Sequence, residues 1–233
     1  MKIVLIHGQD HKGSTWHIAD ELLKSITVPY ETEAFFLPKD LNHFCTGCYA
    51  CLKSRACCPF WKDKEQIDRA LKAADLLIFT TPTYCMMPSA PMKALIDLFF
   101  TNWMSHKPRK EMFSKRAVVI STAAGAGANR AVKPIVNTLS NWGVPKIYKY
   151  ALAVRATGWA TIPEKKKASI LKRVKTLGKK LSVENRPRVG IKTRLRFRLF
   201  AGMQKANWGA SPEEKRYWQE QGWLSGKKPW KNG

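Results

Sequence analysis

The chain has 233 residues, of which 45% are apolar: enough for one sizeable α/β domain with a tail, and too apolar for wholesale disorder. Lys and Arg number 41 against 17 Asp and Glu, a net charge of +24, and the excess gathers late, since residues 160–233 hold 20 basic and 5 acidic side chains. No uncharged apolar stretch approaches the length that crosses a bilayer and the first residues lack a secretory leader's pattern, so a soluble cytoplasmic protein is expected.

Strands and helices alternate over the first two-thirds. Lys2–His7 (KIVLIH) reads as a buried strand ending at Gly8, and Ser14–Ile26 has helical spacing, with Ser14 or Thr15 able to cap its start. Tyr30–Leu37 is a second strand. Residues 38–59 are irregular and hold five cysteines, and Asp63–Ala74 is a short helix. Asp75–Thr80 is a third strand that runs into a loop, Thr81–Pro88, and Ser89–Met104 is helical. Ala117–Ser121 is a fourth strand, followed by a loop of small residues and a helix over Asn129–Trp142 stopped at Gly143. Pro145–Val154 contains a fifth strand and Pro163–Leu181 is a basic helix. The pattern predicts an α/β fold, a doubly wound five-stranded parallel sheet over residues 1–184, followed by a basic, Trp-containing extension over 185–233.

Such sheets bind ligands beyond the carboxyl ends of their strands, where the strand order reverses. Three loops therefore stand out. The first, Gly8-Gln9-Asp10-His11-Lys12-Gly13-Ser14-Thr15, leads into a helix N-terminus, where free backbone N–H groups and the helix dipole favour a phosphate. An ordinary capped turn would look the same. It lacks the spacing and closing Lys-Ser/Thr pair of a P-loop. The second, Thr81-Pro82-Thr83-Tyr84-Cys85-Met86-Met87-Pro88, is stiffened by prolines, and Tyr84 and Met86 can pack on a flat aromatic ring. The third, Ser121-Thr122-Ala123-Ala124-Gly125-Ala126-Gly127-Ala128, lets the backbone approach closely and donate N–H groups.

Together these residues resemble the NADPH-dependent FMN reductase group of flavodoxin-like proteins. The segment TTPTYCMMPSAPMKALIDL, Thr80–Leu98, resembles the group's TPxY…lKxxiDr signature, with Asp97 in place and Leu98 where Arg is usual. Gln9, Asp10 and His11 depart from the Ser, Pro and Arg frequent in the group's phosphate loop. The resemblance covers residues 1–155. It implies a flavodoxin-like fold and FMN held by Gln9, His11, Lys12, Gly13, Ser14 and Thr15 at the phosphate. At the ring it implies Pro82, Thr83, Tyr84, Cys85, Met86, Thr122, Ala123, Ala124, Gly125 and Gly127. It further implies a homo-oligomer and NAD(P)H oxidation, with flavin N5 taking the hydride and passing electrons to an unidentified acceptor. No side chain need act as a catalytic acid or base.

The run Cys45-x2-Cys48-x2-Cys51-x5-Cys57 has the short spacing of ferredoxin-type segments, and Cys58-Pro59 echoes the Cys-Pro that ends many of them. It resembles the iron-sulfur flavoproteins, a branch of the same group, which implies a [4Fe–4S] cluster on Cys45, Cys48, Cys51 and Cys57, with Cys58 competing for the last position. Zinc, or no metal at all, stays open.

The extension opens with VGIKTRLRFRLFAGMQK, Val189–Lys205, where basic and apolar residues interleave. It suits an anionic membrane surface, or a helix or strand whose apolar side packs on the domain; nucleic acid is the less favoured partner, because the flavin signature argues against it. Ser211-Pro212-Glu213-Glu214 reads as a helix start, and Tyr217, Trp218 and Trp223 beyond it suit docking on the core or covering a neighbour's flavin.

Overall fold

A computed structural model describes residues 1–183 and 186–231. Strand and helix alternate as β1 (Lys2–His7), α1 (Ser14–Lys24), β2 (Glu31–Phe36), a short α2 (Ala50–Lys53), α3 (Trp61–Ala73), β3 (Leu76–Tyr84), β4 (Met87–Pro88) and α4 (Ala90–Leu98). They continue with β5 (Arg116–Ala123), α5 (Ala128–Trp142), β6 (Lys146–Ala153) and α6 (Glu164–Leu181), and then α7 (Ile191–Lys205) and α8 (Pro212–Glu220). Five strands pair in parallel in the order β2-β1-β3-β5-β6, and β4 adds a sixth, antiparallel to the end of β3. The chain leaves β1 to form β2 on one side and returns to form β3 on the other. The connections that leave the carboxyl ends of β1 and β3 therefore run to opposite faces of the sheet, α1 to one and α4 to the other, and part to leave a crevice, which is the ligand position of doubly wound sheets.

Successive strand residues point to opposite faces. Ile3, Leu5, Leu76, Ile78, Val118 and Ile120 pack on Ile18 and Leu22 of α1 and on Ile170 and Val174 of α6. Val4, Ile6, Leu77, Phe79, Ala117 and Val119 turn the other way, onto Ile67 of α3, Leu95 of α4, and Ile135 and Leu139 of α5. The sheet is thus covered on both faces, which its apolar strands require.

Most element ends move by one to three residues from the sequence expectation, and two of the changes bear on the site or its surroundings. β3 runs on to Tyr84, so Pro82, Thr83 and Tyr84 lie in a strand. Pro82 is tolerated because β1 pairs with β3 only as far as Thr80, leaving Pro82 paired on the β5 side alone. The helix expected to reach Met104 stops at Leu98, where the buried Lys64 of α3 donates to the Leu98 carbonyl at 2.7 Å. A 3₁₀ turn, Phe100–Asn102, follows.

The expected boundary between residues 184 and 185 lies outside the described residues. Beyond it, α7 and α8 pack on the core. Phe197, Trp218 and Trp223 are buried with Met104 and Phe113, and the Trp218 indole N–H donates to the His106 carbonyl at 2.7 Å. α8 opens with a capping box in which the Ser211 hydroxyl accepts from the Glu214 N–H while the Glu214 carboxylate accepts from the Ser211 N–H. The tryptophans thus dock on their own chain. Phe197→Ala and Trp218→Ala are each expected to lower stability by about 3–5 kcal/mol in urea denaturation; an unchanged midpoint would show the extension to be energetically separate from the core.

Candidate functional site

The floor of the crevice is built by the carboxyl ends of β1 and β3. The Gly8 N–H donates to the Thr80 carbonyl at 2.7 Å, the Ser89 hydroxyl donates to the Gly8 carbonyl at 2.5 Å, and the Ser89 N–H donates to Thr81 Oγ1 at 2.9 Å. A Cβ on Gly8 would stand 2.7 Å from Ser89 Oγ, so only glycine permits this approach. Thr83 Oγ1 lies 3.0 Å from Ser121 Oγ and ties β3 to β5. Beneath them His7 is buried, its Nδ1 2.9 Å from Thr80 Oγ1 and its ring stacked on Phe36. Burial pushes this imidazole down from 6.5 to about 4.

The first loop ends in a helix without a cap. Gly13 occupies the N-cap position of α1, and no side chain accepts from the first-turn N–H groups. The Thr15 hydroxyl is buried and has no hydrogen-bond partner among the described residues. Unpaired donors around a positive dipole end make an anion seat. Gln9 is buried and its amide braces the loop by donating to the His11 carbonyl at 3.1 Å. His11 and Asp10 are exposed and lie 3.7 Å apart, which turns the Asp10 charge toward the imidazole. Ser14 is half-buried at the helix start, and the Lys12 ammonium sits over the Trp16 ring, 4.9 Å from its centroid.

The second and third segments meet beside it. β3 and β4 form a hairpin whose tip, Cys85 and Met86, is left-handed, with φ of 50° and 64°. Tyr84 and Met86 are exposed there, 53% and 43% accessible. Gly127, with φ of 96°, faces the tip, and a Cβ on it would stand 2.5 Å from Met86 Sδ. Met86, Gly125, Gly127, Arg130, Leu152 and Ala153 line a cleft of about 470 Å³. Thr122 and Ala123 are buried at the end of β5, whereas Ala124 and Gly125 are exposed. The fold therefore brings residues 9–15, 82–86 and 122–127 to one end of the sheet. Thr81 and Ser121 open the second and third sequence-picked loops, whereas sequence reasoning missed Ser89 and His7 in the floor and Arg130 and Leu152 in the cleft. The Ser-Ala-Pro helix start was the one available signal for Ser89.

The cysteines are placed differently. Cys45, Cys48, Cys57 and Cys85 are exposed, Cys58 is half-buried and Cys51 is buried. All six are free thiols. Burial pushes the Cys51 thiol up, with Cys58 and Cys45 adding to the rise and Lys64 opposing it. The backbone at Ala50 hydrogen-bonds the Cys48 sulfur and holds that thiol below its usual value. Among the described residues, no three His, Cys, Asp or Glu side chains converge on a point that would hold a metal ion.

The strand order, the uncapped helix end at the first βα turn and the hairpin carrying Tyr84 and Met86 at the switch point define a flavodoxin-like protein. Residues 1–158 match the family NADPH-dependent FMN reductase, and the chain belongs to it, as an NAD(P)H-dependent FMN oxidoreductase. It is 29% identical to an iron-sulfur flavoprotein of Archaeoglobus fulgidus, over 78% of this chain and 79% of that one. It is 30% identical to an iron-sulfur flavoprotein of Methanocaldococcus jannaschii, over 59% of this chain and 70% of that one. Among solved structures, an NAD(P)H:quinone oxidoreductase of Methanothermobacter marburgensis shares the fold (TM-score 0.61, 17% identity, 79% of this chain and 98% of that one). So does an FMN-dependent NADH-azoreductase of Bacillus anthracis in complex with FMN (TM-score 0.59, 13% identity, 78% of this chain and 100% of that one).

His7 carries a pH signature. Its folded value of about 4 lies below the unfolded 6.5, so the unfolded chain takes the proton first. Stability from the neutral ring is complete above pH 6.5 and is lost as pH falls toward 4, by up to about 3 kcal/mol. Denaturant titrations between pH 4 and 7 are expected to show this slope in the native chain and a flatter one in His7→Gln.

Proposed function

We propose that the FMN phosphate sits at the N-terminus of α1, held by Gly13, Ser14 and Thr15, with Gln9 bracing the loop and His11 and Lys12 flanking it. The isoalloxazine lies between Pro82–Met86 and Thr122–Gly127. The observation that carries this reading is the Thr15 hydroxyl, buried without a partner beside an uncapped helix end. A buried polar group left unpaired is costly, and a phosphate oxygen would satisfy it. The flavin, when bound, supplies hydride acceptance from NAD(P)H and electron delivery to a second substrate. The chain's part is positioning. Tyr84 and Met86 would cover ring surface, and backbone N–H groups within residues 122–127 would donate to the edge where negative charge accumulates. Assembly as a homo-oligomer belongs to the same proposal.

Thr15→Ala removes no side-chain hydrogen bond found among the described residues. It is expected to leave the stability of the FMN-free chain unchanged and to weaken FMN about tenfold, the size of one charge-assisted hydrogen bond. Equal FMN affinity in titrations of both proteins would place the phosphate elsewhere.

The cysteine segment belongs to the proposal as the seat of a [4Fe–4S] cluster on Cys45, Cys48, Cys51 and Cys57. Its support is the donor set, four free thiols closely spaced in sequence from the loop after β2 through α2 to the 3₁₀ turn Arg55–Cys57, which would have to draw together around a cluster, and the names of the two archaeal relatives. Protein purified without oxygen is expected to show flavin bands, a broad visible shoulder and roughly four irons per chain. Flavin without iron would remove the cluster and leave the flavin reading in place.

A second reading concerns location and rests on α7. Thr193, Phe197, Ala201 and Gln204 are buried on its docked face. Ile191, Leu195 and Leu199 form an opposite row, exposed by 73%, 56% and 60%, and Trp208 just beyond is exposed by 71%. Lys192, Arg194, Arg198 and Lys205 are exposed along the same helix. An apolar row flanked by cations matches an anionic bilayer surface. Nucleic acid would use the cations and leave the leucines wet, and a second copy would bring like charges together. No helix among the described residues is long and apolar enough to cross a membrane, so the contact proposed is in-plane. Co-sedimentation with phosphatidylglycerol-containing vesicles is expected, lost with neutral vesicles and in Leu195→Glu/Leu199→Glu. Sedimentation unaffected by that double substitution would sink the membrane reading.

A further inference from the structure

The C-terminal helix α8 closes a second basin against the cysteine segment, away from the loops of the flavin site. Lys53, Arg55, Lys107, Arg109, Arg216 and Tyr217 line a cleft of about 530 Å³. Five of these six are cations. Glu213 and Glu220 line it as well, and neither forms an ion pair with the five cations among the described residues, where the one such pair is Arg109 with Asp68.

The inner cations are held by neutral groups. Arg55 Nη2 donates to Asn102 Oδ1 at 3.2 Å and to the Lys107 carbonyl. Its guanidinium lies 5.9 Å from the centroid of the Tyr217 ring, and the Tyr217 hydroxyl donates to the Pro108 carbonyl. Lys107 is buried and its ammonium donates to the Lys53 carbonyl at 3.1 Å. Among the described residues, Arg109 alone of these cations has an acidic partner, Asp68. The Nε–H groups of both Arg55 and Arg109 are buried with no acceptor among the described residues. Buried cations are normally matched by anions, and unmatched donors are rare. The basin is short of negative charge.

We infer that this cleft between α8 and the cysteine segment binds a phosphate-bearing small molecule through Lys53, Arg55, Lys107, Arg109 and Arg216. Arginine forks and lysine ammonium groups suit phosphate oxygens, and a cleft of this volume takes a nucleotide-sized ligand. Two sources share that chemistry: a diphosphate, and the 2′-phosphate of an adenosine.

The test is isothermal titration of the full chain saturated with FMN, so that any phosphate seat on α1 is already filled. The probes are inorganic pyrophosphate, 5′-ADP and 2′,5′-ADP. One saturable site is expected. Lys53→Ala/Arg216→Ala is expected to weaken it at least tenfold, because both side chains are exposed at the rim and neither donates to the packing of Arg55 or Arg109. A charge-matched control, Lys172→Ala/Lys179→Ala on α6, is expected to leave affinity unchanged. Preference for 2′,5′-ADP over 5′-ADP identifies the 2′-phosphate, and preference for pyrophosphate or 5′-ADP identifies the diphosphate. The proposal is overturned if no probe saturates or if both double variants lose affinity equally, since general attraction to a basic protein would then explain the binding. Failure here leaves the flavin site untouched, because Thr15→Ala reads that site separately.

Discussion

Four hydrogen bonds among Gly8, Thr80, Thr81 and Ser89 fasten the carboxyl end of β1 to that of β3 where their ladder ends. The site depends on that fastening. It fixes where the first loop turns into α1 and therefore where the uncapped helix end points. It also anchors the far side of the β3–β4 hairpin, since Ser89 follows β4 directly. The third segment reaches the same place through Thr83 and Ser121. A ligand there meets polar backbone on one side and exposed Tyr and Met on the other. That division suits a cofactor with a phosphate at one end and a flat ring at the other.

The C-terminal extension solves a different problem. Its aromatic side chains turn inward onto Met104 and Phe113, and its cations are left on the outside or trapped at the junction. The described part of the segment is therefore both docked and strongly positive, an unusual pairing, because highly charged segments with few aromatics generally stay disordered. Phe197, Trp218 and Trp223 supply the burial that holds the positive helices in place. Both the rim of the basin and the exposed row on α7 are consequences of that arrangement.

Much of this was legible in the sequence, and the exceptions share a cause. The apolar runs of β1, β3 and β5 and the TPTY…KALID stretch announce the fold and two of the three site segments, because local composition carries them. The end of α4 was not legible, since it is set by Lys64 reaching across from α3. Nor was the course of β3 through Pro82, which depends on β1 having already stopped. Ser89 reads as an ordinary helix cap until β1 and β3 lie side by side. In α7 the interleaved Arg and Leu are compatible with several conformations, and only the packed neighbour reveals which apolar residues are left over. What the sequence hides is whatever one element does to another.

The hairpin tip sets a limit on how far this protein can be improved. Cys85 and Met86 hold left-handed backbone angles that side-chain-bearing residues adopt at a penalty of about 1–3 kcal/mol each. Glycine at either position would relieve the penalty and make the folded chain more robust. The same change would remove Met86, the side chain that faces Gly127, and would loosen the turn that presents Tyr84. Selection for heat resistance and selection for a tightly gripped cofactor therefore pull these two codons in opposite directions, and a library screened only for thermal tolerance would be expected to erode the site at its tip first.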